Sequence, residues 1–144
     1  MPRVKLQLPA KLFDVVIKIA VRITDINYGN HVGNDSLVSI IHEARMQFLK
    51  HHGYTELDIE GAGLIMADLQ VEFRNESFYG DMIEVGLGVD EISNVGFALF
   101  YNLSSKRNEK TILIAKAKTG MVFYNYGLNK VCALPEKFLQ ILSA

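Results

Sequence analysis

The chain has 144 residues, 49% of them hydrophobic and 22% charged, with fifteen Lys/Arg against sixteen Asp/Glu and a formal net charge of -1. That length supports one core and leaves little for a second, so residues 1–144 are expected to form a single domain. Charges this evenly balanced give no basic face for a phosphate backbone, which argues against nucleic acid as a partner. Cys132 is the only cysteine and has no intramolecular disulfide partner, which fits a reducing compartment. The opening stretch MPRVKLQLPAKLFDVVIKIAVRI carries Asp14 and Lys18 where a signal peptide needs unbroken apolar sequence. No run approaches the roughly eighteen apolar residues of a membrane helix. A cytoplasmic protein without a membrane span is the expectation.

Taken in chain order, the first regular signal is a strand. Val15, Ile17, Ile19, Val21 and Ile23 alternate with Val16, Lys18, Ala20 and Arg22, a period of two rich in β-branched residues. From Ser36 the period changes. Leu37, Ile40, Ile41, Ala44 and Phe48 fall on one helical face, Asn34 or Asp35 suits the N-cap, and Gly53 closes a helix running from about Asp35 to His52. Strand alternation then returns at Leu69–Phe73, Ile83–Val89, Val95–Leu103 and Leu113–Tyr124, separated by turn residues at Tyr79–Asp81, Ser93–Asn94 and Ser104–Lys110. Short turns between successive strands predict an antiparallel meander, and one helix against one such sheet is an α+β domain. Gly86, Gly88, Gly96 and Ala98 fall on the non-core faces of their strands. Small residues there would admit another backbone or a slender ligand, so subunits are expected to pair across the sheet.

The most unusual segment is DINYGNHVGND, Asp25 to Asp35, which crowds polar and turn-forming residues just before the apolar helix. A helix start presents unpaired backbone N–H groups at the positive end of the macrodipole. Donors fixed in that way stabilise a carbonyl oxygen as it gains negative charge. Attack on an ester or thioester also needs a base or nucleophile, and Asp25, Asn27, His31 and Glu43 are the candidates. Each of these residues taken alone is also an ordinary turn or cap residue. Elsewhere, His42, His51 and His52 read as solvated helix positions, and a single cysteine with these spacings does not suggest a zinc site. Glu72, Arg74 and Glu76 share a strand face and read as an ion-pair set. No glycine-rich loop ending in Lys-Ser/Thr supports nucleotide hydrolysis.

The run T-D-I-N-Y-G-N-H-V-G-N-D-S-L-V-S-I-I-H-E-A-R resembles the signature of hotdog-fold thioesterases of the 4-hydroxybenzoyl-CoA thioesterase type. In that family a strand leads to a turn D-x-D-x-x-G-H-V-x-N and then to a long central helix carrying E-A-R. Thr24, Asp25, His31, Val32, Asn34, Glu43, Ala44 and Arg45 match without a gap. F-R-N-E-S-F-Y-G-D from Phe73 to Asp81 looks like the family's strand and G-D turn, and A-L-P-E-K-F from Ala133 like its C-terminal ending. The resemblance implies a hotdog fold, with an antiparallel sheet wrapped around one long central helix. It also implies hydrolysis of an acyl-CoA thioester to free acid and coenzyme A, with no cofactor beyond the coenzyme A of the substrate and no metal. Lys106, Arg107 and Lys110 could meet the phosphates of coenzyme A, but a charged hairpin tip is usually just solvated.

One departure matters. The family's catalytic aspartate falls on Asn27, and an amide cannot act as a carboxylate base or nucleophile. The glycine before the histidine is replaced by Asn30. Related plant acyl-ACP thioesterases use an asparagine and a histidine; their histidine transfers to His31, whereas their asparagine would fall on Gly29. A glutamate implicated on the following strand corresponds loosely to Glu76. The resulting expectation has Asn27 and His31 positioning water or thioester, Glu43 as general base, and the amides near Asn34 receiving the carbonyl oxygen. Asp25 fixes the turn in this reading, and Asn30 and Glu76 join the substrate-binding set. The expected partner is a small acyl-CoA or acyl carrier protein, in a homodimer or homotetramer. A non-catalytic acyl-binding module and a hotdog hydratase or dehydratase are the competing readings.

Overall fold

The computed structural model describes residues 3–144. In chain order it contains β1 (Val16–Ala20), a single 3-10 turn (Ile23–Asp25), α1 (Asn34–His51), β2 (Gly63–Phe73), β3 (Met82–Asp90), β4 (Gly96–Arg107), β5 (Lys110–Asn125), β6 (Lys130–Val131) and α2 (Glu136–Leu142). The sheet is antiparallel throughout, in the order β1-β3-β4-β5-β2, with β6 pairing the end of β5. It is an open α+β sheet built around one long helix, the hotdog fold.

The helix packs as its periodicity demands. Leu37, Ile40, Ile41, Ala44 and Phe48 are all buried. They join Ile83, Val85 and Leu87 of β3, Leu99, Tyr101 and Leu103 of β4 and Ala117 and Phe123 of β5 in one core. Two details of the helix differ from the sequence reading. The N-cap is Gly33, in extended backbone and with no side-chain cap, so Asn34 and Asp35 lie inside the first turn. The last helical residue is His51, and Gly53 reverses the chain at a φ of +84°.

The expected meander holds only from β3 to β5. Because β1 pairs with β3, from Val16↔Gly86 to Ala20↔Met82, that edge is taken, and β2 finds its partner on β5 instead. The connection from β2 to β3 therefore crosses from one edge of the sheet to the other. The β4–β5 turn is also tighter than the polar run suggests. It consists of Asn108 and Glu109 at φ values of +50° and +66°. Short α2, whose Phe138 ring stands 5.7 Å from both Phe97 and Phe123, closes one end of the core.

The outer face of the sheet corrects a further expectation. Gly86 and Gly88 do leave room on that face, but the chain's own N-terminal segment takes it. A Cβ on Gly88 would stand 2.8 Å from Leu12 Cδ2 and 3.2 Å from Pro9 Cγ. The segment is pinned at both ends: the Leu6 N–H donates to Glu72 Oε1 at 2.7 Å, and the Phe13 N–H to the Leu87 carbonyl at 2.7 Å. Gly96 is glycine for another reason, since a Cβ would collide with the Met121 carbonyl on β5. Gly86, Gly88 and Gly96 thus serve close packing within the chain.

Candidate active site

The polar segment folds as a tight hairpin leaning on the helix start. Ile26 and Val32 bridge, the Asn27 N–H donates to the His31 carbonyl at 2.9 Å, and the Asn30 N–H to the Asn27 carbonyl at 3.1 Å. Asn30 takes the left-handed region at a φ of +63°, which asparagine tolerates better than most residues. Asn27 Oδ1 accepts the Gly29 N–H at 2.9 Å, so one end of its amide is committed to the turn and Nδ2 is the donor that remains. Asp25 is 3% exposed. Its carboxylate accepts the Arg22 N–H at 2.8 Å and pairs with the Arg22 guanidinium at 3.3 Å, while its carbonyl accepts the Gly33 N–H. Through these contacts Asp25 ties Arg22 to the start of α1.

His31 is held in one tautomer. Its Nδ1 lies 3.1 Å from the Val32 carbonyl oxygen, which can only accept, so Nδ1 carries a proton and in the neutral ring the lone pair is on Nε2. Nε2 in turn lies 3.7 Å from Glu76 Oε1. A Cβ on Gly29 would stand 3.2 Å from that nitrogen and 3.3 Å from Asn27 Oδ1, so glycine leaves the lone pair accessible. The His31–Glu76 pair stands at the mouth of a cavity of about 200 Å³ whose apolar walls include Val32, Leu37, Phe73 and Ile114. Asn34 opens α1 on the same cavity. Among the described residues, the amides of Asn34, Asp35 and Ser36 have no acceptor within the chain.

Glu76 reaches this place through a loop that the sequence reading treats only as a strand end and turn. The Val32 N–H donates to the Ser77 carbonyl at 2.8 Å, tying the loop to the residue after His31. Arg107 Nη2 donates to the Glu76 carbonyl and to Asp81 Oδ2, both at 2.7 Å, and its guanidinium lies 5.0 Å over the Phe78 ring. Burial pushes the Asp81 carboxyl up, but hydrogen bonds from Arg107, the Phe78 amide and Ser77 outweigh it and hold the group below its ordinary range. Arg107 is thus an internal clamp and not part of a solvated hairpin tip. Sequence spacing gave no sign of it, because the two partners are 26 positions apart.

Glu43 is not brought to the site. It follows Asn34 by nine residues, about 13 Å of helical rise. Its carboxylate accepts from Gln47 Nε2 at 2.6 Å on the wall of a separate groove between α1 and β1. Within one chain it therefore lies apart from the His31 cavity. The Glu72–Arg74 ion pair forms as expected at 2.9 Å, whereas Glu76 turns away to His31. Among the described residues, no three His, Cys, Asp or Glu side chains converge as a metal site would require. Among the described residues, no helix is long and apolar enough to cross a membrane.

The model of the Thioesterase-like superfamily matches residues 21–142. The chain belongs to the thioesterase-like superfamily. A protein of Aquifex aeolicus (strain VF5), provisionally named an esterase, is 28% identical over 102 residues, covering 69% of this chain and 75% of the relative. The 1,4-dihydroxy-2-naphthoyl-CoA thioesterase of Synechocystis superposes with a TM-score of 0.78 at 20% identity, over 89% of this chain and 94% of that one. A 4-hydroxybenzoyl-CoA thioesterase, solved as an aspartate-to-asparagine variant with 4-hydroxybenzoyl-CoA, superposes with a TM-score of 0.78 at 15% identity, over 89% and 97%. Thioester hydrolysis is the chemistry of this class of enzyme. In this chain His31, Asn34 at the helix start and the apolar side chains of Val32, Leu37, Phe73 and Ile114 line one cavity.

Proposed function

We propose that the protein hydrolyses an acyl-CoA thioester to the free acid and coenzyme A at the His31–Glu76 cavity, with His31 as the general base. The acyl group enters the chamber walled by Val32, Leu37, Phe73 and Ile114, and the thioester carbonyl oxygen turns toward the amides of Asn34 to Ser36. Water beside Nε2 loses a proton to His31 as its oxygen bonds to the carbonyl carbon. Glu76 then faces an imidazolium and stabilises it, and Asn27 Nδ2 orients the attacking water or the carbonyl. When the tetrahedral species collapses the C–S bond breaks, and His31 returns the proton to the departing thiolate. Water supplies both the new oxygen and the new hydrogen, so no further reactant is needed.

The observation that carries this reading is the Nδ1 contact with the Val32 carbonyl, because it leaves the basic nitrogen facing Glu76 and the cavity mouth. The test is release of free thiol from short, long and aromatic acyl-CoAs. His31→Ala should lower kcat by about 10²–10⁴ and Glu76→Gln by less, with the fold retained. Full activity in His31→Ala would end the assignment. A second reading, a non-catalytic acyl-binding module, draws support from the amide at Asn27, whose oxygen is engaged by Gly29. Acyl-CoA binding with no thiol release from any of these substrates would favour it. If two copies of the chain associate, we assign their contact to β2, which has β5 on one side and no strand on the other.

A further inference from the structure

A second cavity, of about 500 Å³, adjoins the first, and Phe73 and Arg74 line both. Four cations surround it: Arg3 and Lys5 from the N-terminal segment, Arg74 beyond β2, and Lys116 from β5. Glu72 is the one acid on its wall. Arg74 is ion-paired to that acid at 2.9 Å, whereas among the described residues Arg3, Lys5 and Lys116 have no salt bridge, which leaves a local excess of positive charge in a chain whose formal net charge is -1. The arrangement is also built. Glu72 takes the Leu6 N–H with one oxygen and Arg74 Nη1 with the other, at 2.7 and 2.9 Å, while Lys116 Nζ donates to the Leu6 carbonyl at 3.4 Å. Leu6 is therefore gripped through both backbone groups, which fixes the flanking segment that carries Arg3 and Lys5 over the cavity.

We infer that this cavity receives the phosphates of a nucleotide-bearing thioester. It would make free coenzyme A, and not a carrier protein, the thiol carrier in the hydrolysis proposed above, a reading on which this inference rests. A substrate whose acyl group occupies the His31 chamber leaves past Phe73 and Arg74, and the next volume it meets is the cationic one. Coenzyme A bears its phosphates at the end remote from the thioester, the order in which the two cavities follow one another. Arg3 and Lys5 lie outside the residues matched by the superfamily model, 21–142, so this half of the receptor belongs to the chain's own N-terminal segment. Attraction between exposed groups of this kind is screened by salt, and so should be the affinity.

The test pairs the double charge reversal Arg3→Glu/Lys5→Glu with three substrates: an acyl-CoA, the matching S-acyl-pantetheine, which has no phosphate, and an acylated carrier protein. Direct binding of adenosine 3′,5′-bisphosphate is measured alongside. Neither substitution touches the contacts through Leu6, and an unchanged melting temperature verifies that the segment stays seated. The reversal should raise KM for acyl-CoA by about tenfold or more, weaken the bisphosphate to the same degree and shift KM for acyl-pantetheine less than twofold. Equal shifts for acyl-CoA and acyl-pantetheine would overturn the receptor. So would a wild-type protein that binds no bisphosphate yet turns over the carrier-protein thioester. Should no substrate release thiol, the hydrolase reading fails by itself, and the bisphosphate titration still decides whether the receptor exists.

Discussion

Replacing Arg107 with Met tests whether the loop that delivers Glu76 is held by one clamp. Arg107 Nη2 makes two hydrogen bonds of 2.7 Å, one to the Glu76 carbonyl and one to the Asp81 carboxylate. Their side chains are mostly buried, with relative exposures of 28% for Arg107 and 14% for Asp81. A hydrogen bond to a charged group in such a setting is worth about 1.5–3 kcal/mol. Methionine keeps much of the stem that packs near Phe78, so the expected loss is about 2–3 kcal/mol, a fall in Tm of about 5–10 °C for a chain of this size. The loss should depend on pH in one direction. Asp81 is held below its ordinary pKa in the folded protein, so its contribution is fully present above the unfolded carboxylate pKa of about 3.9 and is lost as pH falls through the lower folded value. Without Arg107 burial prevails and the Asp81 pKa rises. The Tm gap between wild type and variant should be widest at neutral pH, start closing as pH falls through the variant's higher Asp81 pKa, and level off below the wild-type value, where the bond to the Glu76 carbonyl remains. Thermal melts from pH 7 to pH 3.5 measure this. A gap that is constant over that range would refute the pairing, and unchanged kcat at pH 7 would refute the role of the clamp in positioning Glu76.

Two further substitutions bear on the site. Gly29→Ala puts a methyl 3.2 Å from His31 Nε2, closer than carbon packs comfortably against nitrogen; kcat in the thiol-release assay should fall by about tenfold or more while Tm moves by less than about 2 °C, because the position is exposed. Glu43→Gln should keep kcat within about threefold, since the carboxylate lies about 13 Å of helical rise from Asn34; a hundredfold loss would mean that Glu43 serves the cavity of a neighbouring copy.

Legibility in the sequence followed the range of the interaction. The core face of α1, from Leu37 to Phe48, and the alternation in β3 to β5 were readable because burial imposes a period on neighbours in the chain. The place of β2 was not, since nothing between Leu69 and Phe73 records that β1 occupies the edge of β3. The hairpin of Asn27 to His31 was visible as turn chemistry, and its histidine as a candidate base. Its partner Glu76 was reachable only through the family resemblance, because 45 positions separate it from His31. Glu43 shows the converse: proximity in sequence to the polar cluster is not proximity in space within one chain once nine residues are wound into a helix. Gly86 and Gly88 were correctly read as admitting a close approach, but a pattern of small residues cannot say that Leu12 of the same chain is what approaches.

The amide at Asn27 decides how these parts share the chemistry, and Asn27→Asp tests it. The Asx turn needs only an acceptor for the Gly29 N–H, and one carboxylate oxygen supplies it. The other oxygen would replace Nδ2, which lies 3.8 Å from where a Cβ on Gly33, the residue capping α1, would stand. A negative charge at a helix start is favourable by about 0.3–1 kcal/mol, so the variant should fold at least as well as the parent. Its catalytic effect is best read in a cycle with His31→Ala. On the proposed mechanism His31 is the base in the parent background, and its loss should cost about 10²-fold or more in kcat. In the Asn27→Asp background a carboxylate stands beside the same water and can take the proton instead, so removal of His31 should cost at least tenfold less than it does in the parent. Equal losses in both backgrounds would mean that position 27 does not face the reacting water, and the turn would then be scaffold for the histidine alone.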